Sequence, residues 1–179
     1  MRTLVAAVAI MGLLSACRLS GDKPDGSGTI ECTQVQVAPE VAGIILQLPP
    51  QEGDTIKKGS LIAQLDPRNY ELKRDEAKAV LQAAETDLKR IEQVYLKKTA
   101  TQKQMDDAQS AYDLAKARFG LAEKALKDCT VVAPMDGVVT TRSREEGEYV
   151  GPGTSLVTIS RLDEVWLSVY LPEDRLGRI

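Results

Sequence analysis

The chain has 179 residues, a formal net charge of −3 and no histidine. A small acidic excess gives no reason to expect nucleic acid as a partner. The missing imidazole excludes a Ser-His-Asp triad, a Cys-His pair and histidine-based metal sites; no catalytic residue, metal or cofactor is expected in the chain as a whole.

Residues 1–16 read as an export signal. Arg2 supplies the positive start, and Leu4 to Leu14 is an apolar run too short to span a bilayer. The run closes on Leu14-Ser15-Ala16-Cys17, which resembles the lipobox of bacterial lipoproteins. The resemblance implies cleavage before Cys17, diacylglycerol on its sulfur and an acylated amino group, a combination sufficient for stable membrane attachment. The plainer alternative is an ordinary signal peptide with an incidental cysteine. Arg18 stands where the inner-membrane retention signal of enteric bacteria would place Asp; the leaflet stays open, with the inner membrane the expected one. Residues 17–30, rich in Gly, Ser and Asp, read as the anchor and a flexible tether.

Residues 31–66 and 129–161 repeat each other. Gly43, Gly53, Gly59, Ile62 and Leu65 return as Gly137, Gly147, Gly153, Leu156 and Ile159, at a constant offset of 94. Glu52-Gly53-Asp54 returns as Glu146-Gly147-Glu148. Short alternating apolar stretches broken by Gly and Pro mark short strands, and two such halves face to face predict a flattened β-sandwich. Cys32 and Cys129 open the halves at similar places. Either a disulfide closes the neck, or both are buried free thiols, the plainer reading.

The runs Glu52-Gly53-Asp54-Thr55-Ile56-Lys57-Lys58-Gly59 and Ala133-Pro134-Met135-Asp136-Gly137-Val138-Val139 resemble the biotinyl/lipoyl-carrier domain. Carriers present a modified lysine at the hairpin joining the halves. Here residues 67–128 replace that hairpin, and Lys57 and Lys58 belong to another turn. The resemblance therefore implies the fold without the carrier chemistry.

Residues 67–128 begin at Asp66-Pro67, an Asp cap with Pro at the first helical position. Ala77, Leu81, Ala84, Leu88, Ile91 and Tyr95 then follow a 4-3-4-3-4 spacing, and Met105, Ala108, Tyr112, Ala115, Phe119, Ala122 and Leu126 a second heptad stripe. Pairing them outward from residue 100 gives constant sums, the arithmetic of an antiparallel hairpin. Its tip carries Arg90, Val94 and Thr101. This spacing resembles the Arg-x3-Leu-x6-Ser motif by which periplasmic adaptors meet a TolC-type outer-membrane channel, with Val and Thr in place of Leu and Ser. The resemblance implies channel contact through these three residues. Thr101-x-x-Gln104 is also a capping box, and Arg90 and Val94 also suit a solvated flank and the seam's edge.

Val165 to Leu171 alternates as a strand, and Pro172-Glu173-Asp174 reads as the start of a helical turn. Residues 162–179 are expected to open a β-barrel domain that continues beyond a fragment or partial gene product, with Trp166 packing in that barrel. The fold class is thus α+β: a split lipoyl-like β-sandwich, an inserted antiparallel coiled-coil hairpin, then the start of a β-barrel. From Cys17 onward this order of parts resembles the N-terminal portion of HlyD-type periplasmic adaptors, or membrane-fusion proteins. The resemblance implies a non-enzymatic subunit of a tripartite exporter, ring-forming, between an inner-membrane transporter of the ABC or RND type and a TolC-like channel. An envelope lipoprotein with a purely structural coiled coil is the alternative.

Overall fold

The computed structural model describes residues 27–170, so the signal segment, Cys17 and Pro172-Glu173-Asp174 lie outside the described residues. The chain divides into a large unit, Cys32–Val165, and a small one whose described residues are 27–31 and 166–170.

The elements run β1 (Ser27–Val37), β2 (Gly43–Gln47), β3 (Thr55–Ile56), β4 (Leu61–Leu65), α1 (Arg68–Leu96), α2 (Gln102–Lys127), β5 (Thr130–Val132), β6 (Gly137–Arg142), β7 (Tyr149–Val150) and β8 (Val157–Tyr170). They build two four-stranded sheets, ordered β1-β8-β6-β3 and β5-β4-β2-β7. Ile45, Leu48, Ile62, Leu65, Val139, Leu156, Val157 and Ile159 fill the space between them and are at most 1% exposed. At about 25 cal/mol per Å2 of apolar surface, this cluster dominates the stability of the fold.

The repeat explains the topology, with one correction. The halves do not form one sheet each; they exchange strands. β3 of the first half pairs with β6 of the second (Thr55 opposite Val138), and β7 of the second pairs with β2 of the first (Tyr149 opposite Ile44). Equivalent hydrogen bonds cross in both directions. Gly53 N donates to Val139 O at 2.8 Å and Gly147 N to Ile45 O at 2.8 Å. Glu52 Oε1 accepts from Arg142 N at 2.9 Å, and Glu146 Oε1 from Leu48 N at 2.8 Å. The recurring Glu-Gly pair thus supplies one carboxylate and one left-handed glycine (φ 91° and 89°) to clasp the opposite half.

β1 already begins at Ser27, so residues 27–30 of the expected tether are strand. Composition misled here. Small residues that suit a linker also suit a strand with a close neighbour: in the small unit, a Cβ on Gly28 would stand 3.2 Å from both Leu167 Cδ1 and Ser168 O. In the same unit Trp166, 48% exposed, donates its indole N–H to Glu31 at 2.9 Å.

Cys32 and Cys129 are free thiols. Cys129 is fully buried, its Sγ 3.5 Å from Ala125 O, and burial raises its pKa above the ordinary thiol value.

The hairpin leaves the sandwich between β4 and β5. Leu65 N donates to Cys129 O at 2.8 Å, so its two ends are stapled side by side. The helix begins at Arg68 with Pro67, in helical conformation, at the cap position, one residue later than expected; Asp66 Oδ1 still accepts from Arg68 N at 3.1 Å and so serves the free N–H at the helix start. Tyr70 anchors the base by donating to Ala42 O at 2.7 Å. α1 and α2 have 29 and 26 residues, about 40 Å at 1.5 Å per residue.

Candidate functional site

The coiled-coil seam lies where the heptads put it. Ala77, Leu81, Ala84, Leu88 and Ile91 on α1 are half-buried against Met105, Ala108, Tyr112, Phe119 and Ala122 on α2, with Ala115 buried. Tyr95 ends the seam 37% exposed and donates its hydroxyl to Gln102 Oε1 at 2.5 Å. Two helices alone can bury one stripe each, so everything off that stripe faces water.

At the tip, α1 ends in a Schellman turn. Lys98 N donates to Tyr95 O at 2.8 Å and Thr99 N to Val94 O at 3.1 Å, with Lys98 at φ 59° in the position where glycine is preferred. The sequence showed no glycine there and gave no sign of this conformation. Thr101 starts α2 through a complete capping box: its Oγ1 accepts from Gln104 N at 3.3 Å, and its N–H donates to Gln104 Oε1 at 2.8 Å. The hydroxyl thus has a structural occupation, yet the residue stays exposed.

Arg90 and Val94 sit one turn apart on the same side of α1. Arg90 pairs with Asp87 at 2.7 Å, with 70% of its side chain exposed, and Val94 is 37% exposed. The three tip residues are therefore all accessible at the end of the arm remote from the sheets: a five-donor guanidinium, an aliphatic side chain and a hydroxyl. The sequence motif does not flag two close neighbours, Leu96 at 77% exposure and the Lys97-Lys98 pair that extends the tip's positive charge.

This chemistry suits protein recognition. Among the described residues no group of three or more Cys, Asp and Glu side chains could hold a metal ion. No described helix is long and apolar enough to cross a membrane.

Comparison with known proteins defines the class. Residues 33–160 match the family described as RND MFP, barrel-sandwich hybrid domain, and the chain belongs to that membrane-fusion family of periplasmic adaptors. It is 29% identical over 163 residues to the solvent efflux pump periplasmic linker SrpA of Pseudomonas putida, covering 90% of this chain and 42% of that one. It is 30% identical over 146 residues to the multidrug resistance protein MexA of Pseudomonas aeruginosa, covering 80% and 38%. The chain thus spans less than half the length of these relatives. Among solved structures it resembles a MacA–MexA chimeric protein containing the Pseudomonas aeruginosa MexA α-hairpin domain, with TM-score 0.77 and 26% identity over 85% of this chain and 56% of that one.

Proposed function

We propose that this chain is the N-terminal portion of a periplasmic adaptor in a tripartite efflux system, anchored through lipid on Cys17 at the inner membrane. It links an inner-membrane pump to a TolC-like outer-membrane channel as a ring of several copies. The family description names the RND class, which favours an RND pump over an ABC transporter. The observation that carries the reading is the arm itself: a rigid hairpin stapled into a strand-exchanged sandwich, presenting Arg90, Val94 and Thr101 at its far end.

In mechanism, the sandwich domains stack side by side around a conduit while the arms stand on them and bring their tips to the channel. Arg90 exchanges its solvent-exposed partner Asp87 for carboxylates or carbonyls at the channel end, where its planar fork makes two bonds at once. Val94 fills an apolar notch. Thr101 offers its hydroxyl while holding the turn.

A photocrosslinker at Gln93, beside these residues, captures a trimeric outer-membrane channel in cells; capture of no channel favours the structural lipoprotein instead. Arg90→Asp abolishes export with melting unchanged, because the side chain is mostly in water. Melting well below wild type would make Arg90 a structural residue. Cys17→Ser abolishes incorporation of labelled fatty acid; continued labelling would remove Cys17 as the attachment site.

A further inference from the structure

The two flat faces of the hairpin differ. One carries Lys78, Glu85, Lys89 and Glu92 on α1 with Asp106, Gln109, Asp113 and Lys116 on α2, a solvated surface. Several of its charged and amide groups pair with one another: Lys89 with Glu85 at 2.6 Å, Gln102 with Asp106 at 2.8 Å, Gln109 with Asp113 at 3.1 Å.

The other face holds Leu72, Val80 and Val94 of α1 and Leu114 and Leu121 of α2, all between 37% and 70% exposed. Between the helices it forms a groove of about 540 Å3 lined by Val80, Ala83, Ala111 and Leu114, with Asp87, Arg90, Asp107 and Arg118 at its margins. These residues are a second heptad stripe. Glu76, Val80, Ala83, Asp87, Arg90 and Val94 step 4-3-4-3-4, and Asp107, Ala111, Leu114, Arg118 and Leu121 step 4-3-4-3. Helices with one apolar stripe make a pair; a second, adjacent stripe is what a four-helix bundle requires.

We infer that this face is covered by the same face of a second copy, the two arms lying parallel about a twofold axis along their length. Charge complementarity selects a second copy as the occupant, and coverage of the apolar stripe selects the parallel alignment. The twofold sets α1 against the partner's α2, and the heights follow from the hairpin's constant pairing sum. Arg90 then stands within about 4 Å of the height of the partner's Asp107. Arg118 falls midway between the heights of the partner's Glu76 and Asp87. Among the described residues neither Asp107 nor Arg118 has an ion pair within its own chain, so both charges are free to serve this contact. An antiparallel pair also opposes Arg90 with Asp87 and Arg118 with Asp107, but it must be centred near residue 88, so Leu72 projects past the partner's α1 and Leu121 reaches only the first turn of its α2. Only the parallel pair covers the whole apolar stripe.

Such a pair closes at two copies, since the contact is isologous. It also covers Arg90 and Val94, so it is a resting state outside the assembled ring. That last consequence alone rests on the adaptor reading.

The test uses the purified full chain in detergent, without pump or channel, carrying Cys32→Ser, Ala83→Cys and Leu114→Cys. Both new thiols line the groove, one on each helix, and across the pair each stands within about 4 Å of the height of the partner's other thiol. Oxidation is expected to give a covalent dimer and nothing larger, while Cys32→Ser alone gives none. A ladder of trimers and higher species would overturn the inference in favour of edge-to-edge packing and leave the channel reading intact. Absence of any crosslink would overturn it too. Leu114→Glu, at a 54% exposed site, is expected to weaken dimerisation at least tenfold with circular dichroism unchanged. Arg90→Asp weakens it likewise, and adding Asp107→Arg restores it; failure of this charge swap to restore pairing would overturn the proposed alignment.

Discussion

The sandwich and the arm solve opposite problems. In the sandwich, Ile62, Leu65, Leu156 and Ile159 are completely buried, and each half borrows strands from the other. In the arm Ala115 is the one buried residue among 55 helical positions, and large apolar side chains stand in water. Burial of this kind makes a base that holds its shape alone. An arm with so little interior owes its helical form to helix propensity, one narrow seam and its caps. Its remaining surface is free to meet partners.

That contrast can be broken at its strongest point first. Leu65→Ala or Ile159→Ala leaves a cavity in the clasped core and costs about 2–5 kcal/mol by denaturant unfolding. Leu88→Ala, at the half-buried seam, costs less than either. Equal losses would show that arm and base unfold as one. Gly137→Ala comes next. A Cβ there meets Ile159 Cγ2 and Ser160 O at 2.7 Å, so the β6–β8 ladder must shift, at a cost of about 1–3 kcal/mol. At its repeat equivalent Gly43 the nearest atom is Leu65 Cβ at 3.3 Å, so Gly43→Ala is the milder change, and the difference measures how far the two halves have diverged.

Smaller effects probe the arm. Lys98→Gly relieves the left-handed lysine of the Schellman turn and stabilises the tip by about 1 kcal/mol, read as slower amide exchange in the last turn of α1. At the base, the side-chain bond from Arg68, then its backbone N–H, hold Asp66 at a pKa of about 2 instead of 3.8. A lowered folded-state pKa means stabilisation that is complete above 3.8 and lost as pH falls through about 2. Melting curves of wild type and Asp66→Asn should therefore differ at neutral pH and converge towards pH 2; a constant gap would show that the charge is not the cause.

Much of this was legible in the chain. The offset of 94 announced the duplicated β-half, and the heptads placed the seam on the side chains that are in fact half-buried. What failed did so for physical reasons. Repetition reports that two segments are alike, not which one each pairs with, so the crossing of β3 and β7 into opposite sheets was hidden. Residues 27–30 looked like a tether because they continue a Gly-, Ser- and Asp-rich run in which Thr29-Ile30 alone is too short a strand signal, and their strand depends on a distant neighbour. Lys98 gave no hint of its left-handed backbone, since lysine has no preference for it. The second stripe was present in the sequence but interrupted by Asp87, Arg90, Asp107 and Arg118, whose charges read as ordinary surface until the fold aligned them along one groove.

The bond between Leu65 and Cys129 makes the sandwich a socket. Whatever is threaded between those two strand ends, the chain leaves and returns at neighbouring points, and the core beneath is untouched. Adding or removing one heptad from each helix alters the reach by about 10 Å without changing either end. Gene fusions at this seam can therefore trade one arm for another, so the span bridged and the docking partner are able to diversify while the base stays fixed.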